Sequence, residues 1–303
     1  MAEDEGRHVC YSHPSRIAAT KKGPIEYAMQ GDGPAVLVIH GCPGGYDQGL
    51  IAARLTRDPA FKFIAPSRPG YLRTPLTVGA TPEAQADAYA ALLDALEIRR
   101  AAIIGISGGG PSALHFAARH PDRCWGVVTV SAIGKQLSAS EIDNCQSLRR
   151  RTLFTLGLFS SLLWNGALAA ARQCLERLLS NVKKVATVWS FRPEERVEFF
   201  LGLLRNCTMI SMRKAGLRND VTQLTDMPGI PLNEIKTPTL ILHGTADDVV
   251  PYAHAEFIAR GVAHSELAPV RGGRHLFFAT HREQVLPAVM EFLRRNAPMT
   301  SPG

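Results

Sequence analysis

The sequence predicts an α/β fold, in which a mostly parallel, doubly wound sheet has helices on both faces and an inserted helical cap. Three observations support this prediction. Short apolar runs alternate with segments of helical periodicity. A run such as 35–39 is apolar at every position, which is typical of a strand covered on both faces. Residues 134–232 then show only helical patterns, and the alternation resumes after them.

The predicted elements follow the chain in order. The predicted strands are 24–30, 35–39, 61–65, 101–104, 126–130, 239–243 and 266–270. The predicted helices are 48–56, 82–96, 112–119, 253–260 and 282–295. Thr81 suits the N-cap of the second helix, and Pro82 suits its first position. Residues 1–20 lack such a pattern, so we expect a frayed entry segment there.

This order defines the domain organisation that we expect. We assign residues 1–133 and 233–303 to the α/β core domain and residues 134–232 to the inserted helical cap. With 303 residues, 46% hydrophobic and 20% charged, the composition is that of a globular chain with a sizeable core.

The net charge of +7 comes mainly from the predicted cap. Residues 135–230 hold 14 Lys and Arg against 8 Asp and Glu, whereas the rest of the chain is nearly neutral. No basic run is interleaved with aromatic residues, and no nucleic-acid-reading motif occurs. We therefore expect a basic outer face on one segment and no nucleic-acid partner.

The cysteines and the first residues bear on location. The six cysteines are scattered without CxxC or CxxH spacing, so we expect neither a disulfide framework nor a structural zinc site. The acidic start has no apolar stretch behind it and does not resemble a secretory signal. Residues 152–171 are uncharged, but Thr, Ser, Asn and Gly among them favour cap helices over a membrane span. We expect a cytoplasmic protein.

Residues 105–109, Gly-Ile-Ser-Gly-Gly, lie between a predicted strand and a predicted helix. G-x-S-x-G in this context is typical of a nucleophile elbow, which makes Ser107 the candidate nucleophile. The sharp turn requires flanking positions without a bulky Cβ group, and Gly105 and Gly109 meet that requirement. A phosphate-binding loop or an ordinary strand–helix loop would also fit these five residues, so partners elsewhere must decide.

A nucleophilic serine needs a base, and the base needs an orienting group. In an elbow fold the chain order is Ser, then Asp or Glu, then His. Asp247 follows a predicted strand and is our candidate acid, with Asp248 as the alternative. His275 lies in the Gly-rich loop after the last strand and is our candidate base. His264 precedes that strand, and His281 lies too near the final helix.

A tetrahedral intermediate also needs two hydrogen-bond donors for its oxyanion. We expect one from the backbone N–H of Gly108, which follows the nucleophile. The other should come from the loop 40–45, where Pro43 has no N–H and Cys42 is our candidate. Cys42 would then act through its backbone. A cysteine nucleophile is disfavoured because no elbow surrounds it.

Together, these motifs resemble those of the α/β-hydrolase superfamily, in particular serine hydrolases with a helical cap inserted after the sixth strand. The matching motifs are HGCPGG at 40–45, SRPGY at 67–71, GISGGG at 105–110, HPDR at 120–123, HGTAD at 243–247 and GGRH at 272–275. Leu72 departs from the family, where Gly is frequent, and Cys42 stands where another small residue is commoner. The resemblance implies acyl transfer to water by Ser107, His275 and Asp247, without a metal or a cofactor.

The cap is expected to select the substrate. Apolar residues within 153–168 recur at roughly helical spacing and form either a pocket lining or simply the core of the cap. As a lining they suit a small-molecule ester with a short- to medium-chain apolar acyl group, so we predict a carboxylesterase. We assign Gly44, Tyr46 and Trp164 to substrate binding. The sequence specifies no oligomeric state.

Three alternative functions remain open on the same fold. The HGxPGG loop resembles that of a proline-releasing aminopeptidase. This function would need cap carboxylates, such as Glu194, Glu195 and Glu198, to bind the free α-amine of the substrate. A solvated helix face also accounts for those three residues. A carbon–carbon bond hydrolase uses the same triad. A ligand receptor without turnover is disfavoured by the complete set of Ser, His and Asp.

Overall fold

The structure is a computed structural model that describes residues 15–56, 60–143 and 210–298. Its strands are β1 (Arg16–Thr20), β2 (Gly23–Gln30), β3 (Ala35–Ile39), β4 (Lys62–Pro66), β5 (Ala101–Ile106), β6 (Cys124–Val130), β7 (Thr239–Gly244) and β8 (Ser265–Val270). Its helices are α1 (Tyr46–Thr56), α2 (Pro82–Ala95), α3 (Gly110–Arg119), α4 (Lys214–Thr225), α5 (Ala253–Gly261), α6 (Phe277–Thr280) and α7 (Arg282–Asn296). Every predicted strand and helix outside 134–232 is present, with ends within two residues of the prediction.

These eight strands form one sheet in the order β1-β2-β4-β3-β5-β6-β7-β8. From β4 to β8 all neighbours pair in parallel, and β1–β2 and β2–β4 pair antiparallel. The predicted mostly parallel α/β sheet is therefore confirmed. The carboxyl ends of β3, β5, β7 and β8 lie at the same sheet edge, so the loops that follow these strands can meet there.

The expectation of a frayed segment over residues 1–20 is wrong for its last part. Arg16–Thr20 forms β1, which pairs with β2 in a hairpin, with Arg16 opposite Tyr27. The Thr20 hydroxyl donates to the Gly23 carbonyl and closes the turn. Of the five residues of this edge strand, only Ala18 is buried. An edge strand with one inward residue leaves almost no apolar pattern in the sequence.

Both faces of the sheet are covered. Along β3, Leu37 and Ile39 join a core with residues of α2, α3 and α5, whereas Val36 and Val38 join a second core with residues of α1 and α7. All five residues of β3 are buried. This arrangement explains why the run is apolar at every position rather than at alternate ones.

The predicted start of the second helix is confirmed. The Thr81 hydroxyl accepts a hydrogen bond from the N–H of Ala84, and Pro82 occupies the first helical position, as predicted.

Within the predicted cap, the structure describes residues 134–143 and 210–232; the segment 144–209, which includes the uncharged stretch 152–171, lies outside the described residues. No helix in the described ranges combines the length and apolar character that crossing a membrane requires.

Candidate active site

The turn after β5 holds Ser107 in an unusual backbone conformation, with φ of +50°. Non-glycine residues seldom adopt this left-handed region. A Cβ atom on Gly105 would lie 2.6 Å from the Cβ of Ala113, and one on Gly109 would lie 2.6 Å from the His40 carbonyl oxygen. Both positions therefore need glycine, and the turn lifts Ser107 out of the sheet edge.

The structure brings Ser107, His275 and Asp247 together. His275 Nε2 lies 3.1 Å from Ser107 Oγ, and His275 Nδ1 lies 2.9 Å from Asp247 Oδ2. Because a carboxylate only accepts hydrogen bonds, Nδ1 carries the proton and Nε2 is free to accept the serine proton. The Ser131 hydroxyl donates to the His275 carbonyl at 2.9 Å and fixes the backbone of that loop. The three side chains form one hydrogen-bonded chain.

Asp247 is buried and held by several donors. Its Oδ1 accepts the N–H groups of Val249 and Val250 at 2.9 and 3.0 Å, and its Oδ2 lies 3.3 Å from His243 Nε2. Burial favours the neutral acid, but the hydrogen bonds from His243, His275 and the backbone outweigh burial and lower the pKa of Asp247. The carboxylate thus stays charged at neutral pH. His243 was not singled out in the sequence, although it ends the strand before the acid.

The alternative acid and bases do not join this cluster. Asp248 is exposed and pairs with Arg274, whose side chain is also exposed. His264 precedes β8 and therefore lies at the amino edge of the parallel strands. His281 caps the start of α7, and its Nδ1 lies 2.9 Å from the Thr280 hydroxyl. Asp247 and Asp248 are adjacent in the turn after β7, and the turn buries the first carboxylate and exposes the second.

The loop after β3 packs directly against the elbow. A Cβ on Gly41 would lie 3.2 Å from the Ser107 Cβ, and a Cβ on Gly108 would lie 3.3 Å from the Cys42 Cβ. The N–H of Cys42 donates to no group among residues 15–56, 60–143 and 210–298. The Cys42–Pro43 peptide bond is cis. The structure thus places both predicted oxyanion residues beside the serine.

A buried histidine shapes this loop. His40 Nδ1 lies 2.7 Å from the Gly41 carbonyl, and His40 Nε2 accepts the backbone N–H of Arg68 at 2.9 Å. Since Nε2 is an acceptor, Nδ1 carries the proton and donates to Gly41. Burial, followed by the nearby charge of Arg68, lowers the pKa of His40 well below its usual value. The ring is a neutral, single tautomer at physiological pH.

A buried polar cluster lies behind His40, and sequence reasoning did not find it. The Arg68 guanidinium forms an ion pair with Asp220 of α4, with Nη1 3.0 Å from Oδ2. The Tyr71 hydroxyl donates to the same Oδ2 at 2.5 Å. Burial, and then the charge of Asp220, raises the pKa of Tyr71, so the phenol remains a donor. Arg68 and Tyr71 belong to a motif that we noted, but no local pattern links them to Asp220.

The turn before α4 ties the same loops together. The fully buried Arg213 donates through Nη2 to Asp47 at 2.7 Å and through Nη1 to the carbonyl of Gly44. The N–H of Leu72 donates to the Met212 carbonyl at 2.8 Å. Residues that follow 209 in the chain therefore contribute directly to the walls around the loop after β3.

The three predicted substrate-binding residues have different positions. A Cβ on Gly44 would lie 2.4 Å from His40 Nδ1, so close packing against that ring accounts for glycine there. Tyr46 begins α1 and packs against an apolar cluster that includes Leu50. Trp164 lies outside the described residues. Substrate contact by any of these residues remains a prediction.

One apolar side chain next to the triad in sequence is exposed, and the described residues offer no evident metal ligand set. Leu276, which follows His275, is 45% exposed. Within the three described ranges, no group of three or more His, Cys, Asp or Glu side chains is arranged to hold a metal ion.

Comparison with known proteins places this geometry in context. A family model described as "alpha/beta hydrolase fold" matches residues 34–281. An alpha/beta hydrolase fold protein from Nakamurella multipartita is 33% identical, with a TM-score of 0.73 and coverage of 93% of this chain and 99% of that one. A pimeloyl-[acyl-carrier protein] methyl ester esterase of Chromobacterium violaceum is 27% identical over 88% of this chain and 97% of its own. A 2-hydroxymuconate semialdehyde hydrolase of Pseudomonas putida is 26% identical over 87% and 88%.

Proposed function

Since the chain belongs to the alpha/beta hydrolase fold family, we propose that it is a serine hydrolase that cleaves carboxylic esters. One observation carries the proposal: Ser107, His275 and Asp247 form a continuous hydrogen-bonded chain, with 3.1 Å from hydroxyl to imidazole and 2.9 Å from imidazole to carboxylate. This is the arrangement that turns a serine hydroxyl into a nucleophile.

In the proposed acylation step, the Ser107 oxygen attacks the ester carbonyl carbon while its proton moves to His275 Nε2. Asp247 stabilises the resulting imidazolium through Nδ1 and keeps its own charge, in line with its lowered pKa. The imidazolium then gives its proton to the leaving alcohol. The acyl group stays on Ser107 as an ester.

The negative charge of the tetrahedral intermediate would be held by the backbone N–H groups of Cys42 and Gly108. Gly108 belongs to the elbow, Cys42 packs against it, and the Cys42 N–H has no partner in the described part of the chain. In the second half of the reaction, a water molecule gives a proton to His275 and attacks the acyl carbon. The imidazolium then returns this proton to the Ser107 oxygen as the bond between that oxygen and the acyl carbon breaks, which releases the acid and restores Ser107.

We propose short- to medium-chain apolar acyl esters as the substrate class. The exposed Leu276 beside His275 supports an apolar acyl group, and one relative carries the name of an esterase. The proposed cap, residues 134–232, would complete the pocket. Its apolar stretch 153–168 and the carboxylates Glu194, Glu195 and Glu198 lie outside the described residues.

The test is hydrolysis of p-nitrophenyl acetate, butyrate and octanoate by the wild type, Ser107→Ala and Ser265→Ala. Ser265 lies at the amino end of β8, away from the elbow, and serves as the matched control. We expect S107A to lose at least about 10³-fold in kcat, and S265A to remain within twofold of the wild type. A fluorophosphonate should label the wild type and S265A but not S107A.

Three results would contradict the proposal. Turnover of a proline arylamide without turnover of the esters would favour an aminopeptidase. Cleavage of a vinylogous diketone without ester hydrolysis would favour a carbon–carbon bond hydrolase. The similarity to a 2-hydroxymuconate semialdehyde hydrolase is the reason to test this alternative. No labelling of Ser107 and no turnover of any substrate would favour a receptor.

A further inference from the structure

We propose that Asp220 is a positioning residue for the oxyanion hole. Its buried carboxylate binds the side chains of Arg68 and Tyr71. The backbone N–H of Arg68 and the ring of Tyr71 hold His40, and His40 fixes the peptide that presents the N–H of Cys42. The inference rests on the proposed function, because an oxyanion forms only if Ser107 attacks a carbonyl. Asp220 itself touches none of the reacting atoms in this scheme.

The first link is the peptide between Gly41 and Cys42. In a trans peptide the C=O of one residue and the N–H of the next lie in one plane and point in opposite directions. The Gly41 carbonyl accepts a hydrogen bond from His40 Nδ1 at 2.7 Å. The His40 ring therefore sets the direction in which the Cys42 N–H points.

The second link is what holds the His40 ring. The backbone N–H of Arg68 donates to Nε2 at 2.9 Å, which leaves Nδ1 as the donor toward the loop. The Tyr71 ring packs edge-on against the imidazole, with ring centroids 4.8 Å apart and planes at 81°. The position and the tautomer of His40 thus depend on two residues of the segment after β4.

The third link is Asp220, on which both of these residues converge. Its carboxylate accepts from the Arg68 guanidinium and from the Tyr71 hydroxyl, and the ion-paired side chains are only 3% and 4% exposed. On the same helix, Gly216 donates to the Gly70 carbonyl at 2.7 Å, and a Cβ there would lie 2.2 Å from the Tyr71 ring. Removal of the carboxylate would leave a buried cation and a buried phenol without their acceptor.

The cluster also lies against the other proposed donor. A Cβ placed on Gly108 would be 3.7 Å from Arg68 Nη1 and 3.9 Å from Asp220 Oδ2. The Tyr71 hydroxyl lies 3.5 Å from the Cys42 sulfur as well. Both proposed donor residues thus border one buried group of side chains, so a shift of that group can displace both.

The expected kinetic effect follows from the role of the donors. Loss of one oxyanion donor typically lowers kcat by about 10²–10³-fold, and a misplaced donor costs part of that, about 10- to 100-fold. The oxyanion does not exist in the bound substrate, so KM should change little. General loosening of the fold would instead reduce the number of active molecules.

The experiment compares Asp220→Ala, Asp220→Asn and Tyr71→Phe with the wild type. Asn219→Ala is the matched control: Asn219 is the neighbouring residue on α4, and its side chain ties the helix to the Ala80 carbonyl at 2.7 Å. For each protein, kcat and KM for p-nitrophenyl butyrate are measured per site titrated with fluorophosphonate. The inhibition constant of a trifluoromethyl ketone, which forms an oxyanion on the enzyme, is measured alongside.

We expect kcat per site of D220A to fall 10- to 100-fold, with KM within threefold and the ketone inhibition constant raised by a similar factor. D220N and Y71F should show smaller losses in the same direction and serve if D220A does not fold. N219A should stay within twofold of the wild type. Values for D220N and Y71F within twofold of the wild type would overturn the inference.

A second readout does not depend on turnover. In ¹⁵N-histidine-labelled protein, the ring of His40, identified by loss of its signal in His40→Gln, should carry its proton on Nδ1. D220N and Y71F should speed exchange of that proton with water at least tenfold, whereas N219A should not. A wild type that neither hydrolyses the esters nor reacts with the fluorophosphonate would contradict the proposed function and this inference together. An active wild type with unchanged Asp220 variants would sink the inference alone.

Discussion

The substitution Gly109→Ala tests the elbow by adding one methyl group. Gly109 has φ of −82° and ψ of −10°, a conformation that alanine adopts freely, so any effect must be steric. The added Cβ would lie 2.6 Å from the His40 carbonyl oxygen and 2.7 Å from that of Ile39. Both are backbone atoms at the end of a buried strand, so no side-chain rotation can relieve the contact.

The size of the effect follows from these distances. Ordinary contact begins at 3.4 Å, so the elbow and β3 must separate by 0.8 Å. Overpacking of this kind typically costs about 1–3 kcal/mol of unfolding free energy. The same shift would move the Ser107 hydroxyl, which lies 3.1 Å from His275, and a misplacement of about 1 Å costs about 10²-fold in rate.

The assay combines urea unfolding with ester hydrolysis per titrated site. Gly229→Ala is the control, because a Cβ there has no neighbour within 4 Å. We expect G229A to stay within about 0.5 kcal/mol and to keep its activity. The steric argument is refuted if G109A also stays within about 0.5 kcal/mol of the wild type and within threefold in kcat/KM.

Three further predictions concern single residues around the site. Leu72 has φ of +51°, a backbone conformation that costs a residue with a Cβ atom about 1 kcal/mol relative to glycine. L72G should therefore be about 1 kcal/mol more stable than L72A in urea unfolding, and equal stability would contradict this prediction. Asp247→Asn should lower the unfolding free energy by about 1–3 kcal/mol at pH 7. The pKa of Asp247 is lowered in the folded state, so the wild type loses the stability that this carboxylate contributes as the pH falls. The difference in unfolding free energy between wild type and D247N should therefore shrink from about pH 5 to about pH 3. A deficit that grows on acidification would reverse this sign. Arg68→Met should cost about 3–5 kcal/mol by leaving the Asp220 carboxylate buried and unpaired, and R68M/D220L should recover at least half of that loss.

The sequence predicts those features of the fold and site that follow from local patterns or from sheet topology. The uniformly apolar β3 and the glycines around Ser107 report burial and a tight turn directly. Parallel pairing brings the ends of β5, β7 and β8 to one edge, so their positions after these strands are enough to predict that Asp247 and His275 lie near Ser107.

Other features leave no such pattern. Strand β1 buries one of its five residues, so neither alternation nor a continuous run marks it. Asp220 pairs with Arg68 across 152 positions, and a buried ion pair has no fixed spacing. His243 supports Asp247 from the strand end, but a histidine in a strand is not distinctive by itself. Such partners are set by three-dimensional packing rather than by neighbours in the chain.

The anchoring of α4 and its preceding turn bears on how chimaeras of this enzyme family should be built. Exchanging residues 134–232 for the equivalent piece of another hydrolase would also replace Arg213 and Asp220, which grip the loops after β3 and β4. Under the proposed function, such a hybrid would change the proposed substrate-selecting cap and the support of the oxyanion donors at once. A junction between 209 and 210 would leave both anchors in the recipient and separate the two effects.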